Sequence, residues 1–118
     1  MNMKTLFLLL LLTSAYAQEP VRPVRVQITA TAEEQGEEVA DAVRAKLNKL
    51  GNVIITDRRP DWRIVLAAAK DKCGYIGALV VMDPKGKSEL SIHTAETADR
   101  LAREIAEKLD KEFFKSKR

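Results

Sequence analysis

The sequence predicts an α+β fold: a two-layer sandwich in which a mixed sheet of four to five strands carries two amphipathic helices on one face. Three observations predict it. Two long segments repeat apolar residues at helical spacing, and each begins at a threonine suited to cap a helix. Several short stretches alternate, or run apolar, as strands do. The first helical segment separates the first two strands, which calls for a crossover and a parallel pair. The later strands are joined by short turns and suit an antiparallel meander.

The chain opens "MNMKTLFLLLLLTSAYA". Lys4 is the only charge in this stretch, an apolar run from Leu6 to Leu12 follows, and Ala15 and Ala17 occupy the small positions of an A-x-A cleavage site. That is the plan of a secretory signal peptide over 1–17. The run is shorter than the ~20 residues a membrane-spanning helix needs. Cleavage after Ala17 would start the mature chain at Gln18, with no cysteine nearby to carry a lipid. "QEPVRP", residues 18–23, reads as an extended lead-in. A single domain is expected over 24–114, and the basic tail 115–118 is expected to be disordered.

"VRVQITA" alternates, with Val24, Val26, Ile28 and Ala30 on one face, and reads as a half-buried strand. "TAEEQGEEVADAVRAKLNKLGN" reads as a helix. Thr31 and Glu34 have capping-box spacing, and Val39, Ala42, Val43, Leu47 and Leu50 form an apolar stripe. Acids gather at its start and bases at its end, as the helix dipole favours. Gly51 is placed to close it.

"NVIIT" is a short strand. "WRIVLAAA" is another, with Trp62, Ile64, Leu66 and Ala68 on one face and Arg63, Val65, Ala67 and Ala69 on the other. "YIGALVVM" is apolar on both faces, as a central strand would be. "DPKG" is a turn signal, and "SELSIHT" is expected to pair back with Leu90 and Ile92 inward. The last helix is expected to start near Thr94 and to bury Ala98, Leu101, Ala102, Ile105, Leu109 and Phe113. Asp99 with Arg103, Glu104 with Lys108, and Glu107 with Lys111 have i,i+4 spacing.

The segments "KLGNVIITD" and "DWRIVLAA", in this order of elements, resemble the small periplasmic α/β modules of the TolB amino-terminal domain, CsgG and LpoB type. The resemblance covers roughly residues 24 to 110. It implies a non-enzymatic binding or envelope-assembly module, and it brings no catalytic or ligand-binding residues.

The composition narrows function further. The formal charge is +3 over 118 residues, and removing Lys4 with the leader leaves +2. Such a balance points to no polyanionic partner. No basic stripe with exposed aromatics marks a nucleic-acid surface. Cys73 is the only cysteine, so no internal disulfide forms, although two chains could be linked. Export without a disulfide framework fits the bacterial periplasm. His93, the only histidine, and Cys73 offer too few ligands for zinc. As a Cys–His couple they lack an orienting acid. The scattered glycines make no phosphate loop. No cofactor, metal or catalytic residue is expected. A small hydrolase built on Cys73 and His93 is the enzymatic alternative.

Two features point to binding instead. "DRRPDWR" reads as a strand-connecting loop, Pro60 keeping its backbone out of a ladder. In its functional reading, Arg58 and Arg59 grip a carboxylate or phosphate on a partner, as in an exported inhibitor of an envelope hydrolase. The second feature is the sheet face away from the helices. Val65, Ala67, Ala69 and half of "YIGALVVM" would lie on it. A monomer rarely exposes so large an apolar patch, so another protein, a second copy or the lead-in is expected to cover it.

Overall fold

The computed structural model describes residues 22–31 and 34–118. The expected signal peptide, its cleavage site, most of the lead-in and the Glu34 side chain of the expected capping box fall outside what is described. The fold is the α+β sandwich. Strand β1 (Val24–Ala30) leads to helix α1 (Glu34–Asn48), then β2 (Val53–Ile55), β3 (Trp62–Asp71), β4 (Gly74–Met82), β5 (Ser88–Ala95) and helix α2 (Ala98–Leu109). The five strands are ordered β2-β1-β3-β4-β5.

Both β2 and β3 run parallel to β1, on its opposite sides. They use different parts of it. Val24↔Val53 to Val26↔Ile55 pair the start of β1 with β2, and Val26↔Trp62 to Ala30↔Leu66 pair the rest with β3. The chain climbs beside β1, crosses it, and keeps climbing on the other side. This offset lets a short loop replace the long crossover that parallel neighbours usually need. From β3 onward the strands form an antiparallel meander.

The core lies between one sheet face and the helices. Val26, Ile28, Ile64, Leu66, Leu79 and Val81 meet Val39, Val43 and Leu47 of α1 and Leu101 and Ile105 of α2. Close approach is built in at Gly77, where a Cβ would stand 3.1 Å from Leu101 Cδ2. The two helices are tied at their surface by Lys46 Nζ and Asp99 Oδ1, 2.9 Å apart. Asp99 therefore pairs with the neighbouring helix, and the i,i+4 pairs along the last helix are Arg100–Glu104 and Lys108–Glu112.

Three expectations are corrected. The last helix does not start near Thr94. Thr94 belongs to β5, and Thr97 is the N-cap, its side chain accepting from Arg100 N–H. Phe114, not Phe113, is the fully buried ring at the end of that helix. After Leu109 the chain widens into a π-helical turn, Asp110–Phe114, with Lys115 N–H donating to Asp110 O at 2.7 Å. The wider turn brings the fifth residue after Leu109 to the core, where an α-helix would bring the fourth. Leu90 and Ile92 do not face inward. The β4–β5 register pairs buried Leu79 and Val81 with Ser91 and Glu89, so Leu90 and Ile92 fall opposite Val80 and Ala78 on the other face. In the tail, Arg118 makes two bonds to Asp110, at 2.7 and 3.0 Å.

Candidate functional site

The face away from the helices is an apolar surface spread over three adjacent strands. Strand alternation puts Val65, Ala67 and Ala69 of β3, Ile76, Ala78, Val80 and Met82 of β4, and Leu90 and Ile92 of β5 on one side. Val65 is 47% exposed, Leu90 64% and Ile92 62%. Ala67 is half-buried. Where the alanines meet Ile76 and Ile92 the surface dips, leaving a shallow hollow of about 190 Å³. Large exposed apolar patches of this kind mark interaction sites. Val65 and Ala67 are the predicted residues within it. Leu90 and Ile92, expected inward from the sequence, are its most exposed members. The length of the "DPKG" turn carries the signal for their true side. Asp83 N–H donates to Lys87 O at 2.9 Å, and this pair sets the parity of every residue after it.

The 57–63 loop crosses the same side of the sheet. Thr56 N–H donates to Val26 O at 2.9 Å on one side of β1, and Asp61 N–H to Arg25 O at 3.0 Å on the other. Between them the loop passes over Arg25, whose side chain points away from the core. The Arg25 guanidinium donates to the carbonyls of Arg58 and of Arg59, the latter at 3.2 Å. Arg59 takes a left-handed backbone, φ 47°. The loop arginines thus offer their backbone to the sheet and their side chains to solvent. With Arg22, Pro23, Arg25 and Asp61 they line an open hollow of about 840 Å³. Four arginines against one aspartate make it a positive concavity, suited to carboxylate or phosphate groups. Arg22 and Arg25 are members that sequence reasoning missed, because only the crossing of β1 brings them to the loop. Trp62 leaves the loop at once for the core, in contact with the rings of Phe113 and Phe114.

Cys73 and His93 are not brought together. Cys73 is exposed in the β3–β4 turn, where its N–H donates to Asp71 Oδ1 at 2.7 Å. His93 pairs with Gly77, four residues further along β4 from Cys73, or ~13 Å at strand rise. Its side chain lies on the helix side of the sheet, with Nε2 3.1 Å from Ser91 Oγ. Burial, helped by the nearby Lys108 ammonium, holds its pKa below the usual 6.5. Cys73 instead borders an open hollow of about 510 Å³ with Tyr75, Glu96, Arg100 and Glu104. Among the described residues, no three His, Cys, Asp or Glu side chains gather as metal ligands would. Among them, too, no helix is long and apolar enough to cross a membrane.

No protein-family model matches the chain, and no curated protein matches it. Solved structures do. TolB from Acinetobacter baumannii superposes with a TM-score of 0.58 at 11% identity, over 76% of this chain and 28% of that one. The match spans less than a third of that protein's length, and what the two share is a fold. A ribosomal subunit interface protein from Coxiella burnetii gives a TM-score of 0.43 at 18% identity, over 79% of this chain and 99% of that one. At that score the likeness falls below a common fold.

Proposed function

We propose that the chain is an exported, non-enzymatic module that binds another protein through the open face of β3, β4 and β5. One observation carries the reading: the nine apolar side chains of that face form a continuous surface with no element of the described chain over it. Export rests on the leader-like sequence over 1–17, which favours the periplasm as the compartment. The TolB-like fold is compatible with an envelope-assembly role, and the CsgG and LpoB part of the sequence resemblance belongs to the same proposal. The separation of Cys73 from His93 favours binding over hydrolysis. The arginine hollow lies on the same side of the sheet and favours a partner with acidic groups at the margin of its apolar contact. An inhibitor of an envelope hydrolase would use that hollow first.

Capture of a partner from envelope extract separates these uses. Val65 and Val80 are directly paired across β3 and β4. Val65→Lys with Val80→Glu removes the apolar centre and leaves opposite charges facing each other, a tolerated cross-strand pair. This variant is expected to keep its thermal midpoint and to lose the captured protein. Arg58→Ala with Arg59→Ala is expected to weaken capture without abolishing it. Loss with the arginine variant alone would assign binding to the loop.

A further inference from the structure

The two edges of the sheet are built differently. Strand β2 has three residues, and shortness is a common guard against unwanted pairing. Strand β5 has eight, "SELSIHTA", with no proline, no lysine and one formal charge, Glu89. Among the described residues it has a neighbour on one side only. The turn bond from Asp83 to Lys87 marks a hydrogen-bonded pair. Alternation then turns the backbone groups of Glu89, Ser91 and His93 toward β4. Those of Ser88, Leu90, Ile92 and Thr94 point outward, with no backbone partner among the described residues, and are available to another strand.

We infer that a second copy of this chain occupies this edge, through antiparallel β5–β5 pairing about a two-fold axis at Ser91. The inference rests on the reading that this side of the sheet binds protein. Three constraints select the register. A two-fold antiparallel pair must place outward-pointing residues opposite outward-pointing residues, so the axis passes through a residue and not between two. Full overlap of an eight-residue strand centres it on Ser91 or Ile92. Centred on Ser91, the strand is complementary to itself. Leu90 meets Ile92 of the second copy on the open face, and Ser88 meets Thr94. On the helix face Glu89 meets His93, whose ring N–H can donate to the carboxylate. Centred on Ile92, Glu89 would meet Ala95 and the match is lost. The Ser91 axis brings Leu90 and Ile92, the two most exposed apolar side chains, into contact twice, as an isologous interface requires. The result is a ten-stranded sheet with one continuous apolar face.

Sedimentation of the protein purified from cells expressing the full chain tests this. The wild type is expected at twice the monomer mass. Thr94→Pro removes an outward N–H that β4 does not use, and is expected to sediment as a monomer with its thermal midpoint nearly kept. Glu89→Lys removes, twice per dimer, the carboxylate that accepts from His93, and is expected to weaken association about tenfold. Adding His93→Glu to it sets opposite charges across the pair and is expected to restore the dimer. If Thr94→Pro fails to fold, the charge exchange decides alone. A wild type that is monomeric at every concentration overturns the inference. So does a dimer indifferent to the Glu89 and His93 exchange. The face reading has its own fate: Val65→Lys with Val80→Glu lies outside β5 and is expected to stay dimeric while losing its captured partner.

Discussion

Trp62→Ala is expected to destabilise the domain by about 3–5 kcal/mol, the usual cost of truncating a buried tryptophan. Trp62 begins β3 opposite Val26 and is only 7% exposed. Its ring centre lies 5.5 Å from that of Phe113 and 5.3 Å from that of Phe114, the latter edge-on at 82°. This cluster joins the end of the crossing loop to the end of the chain. Removing the indole leaves a cavity against two rings that cannot both close on it. A domain of this size loses roughly 4–8 °C of midpoint per kcal/mol, so thermal melts should fall by more than about 10 °C. A change below about 1 kcal/mol would mean that the indole is not packed as described.

Phe114→Ala is expected to cost about as much, ~3–5 kcal/mol, and clearly more than Phe113→Ala. Phe114 is fully buried while Phe113 is half-buried. The order reports directly on the π-helical turn. In a continuous α-helix the fourth residue after Leu109 would take the core position, and Phe113→Ala would be the more damaging change. Urea unfolding of the two variants measures this. Equal or inverted effects would contradict the widened turn.

These two aromatic residues show how far the sequence could be read. The period of two in "VRVQITA" and "WRIVLAAA" identifies strands and places Trp62 on the buried face, because one-sided burial leaves alternation with a single solution. The helical stripes of α1 and α2 are equally plain up to Leu109. Phe113 and Phe114 stand side by side, and both are apolar. Nothing local says which takes the core, since a single extra residue in the turn decides it. Leu90 and Ile92 fail for a related reason. Apolar residues on an edge strand satisfy alternation on either face, and only the register fixed at the Asp83–Lys87 turn excludes the helix side. The open face was legible through Val65 and Ala67, but its most exposed part was not. The arginine hollow was half legible. Arg58 and Arg59 stand in one loop, whereas Arg22 and Arg25 join them only because that loop crosses β1.

On the proposed reading, a protein covers the open face of β3, β4 and β5 in the working molecule. Site-specific photo-crosslinking distinguishes a covered face from a bare one. A photoreactive phenylalanine in place of Val80, at the middle of the face, is compared in cells with one in place of Ala45, which is exposed on α1. A discrete adduct is expected from position 80, with a second polypeptide of definite mass, and none from position 45. Adducts from position 45 with none from position 80 would contradict it.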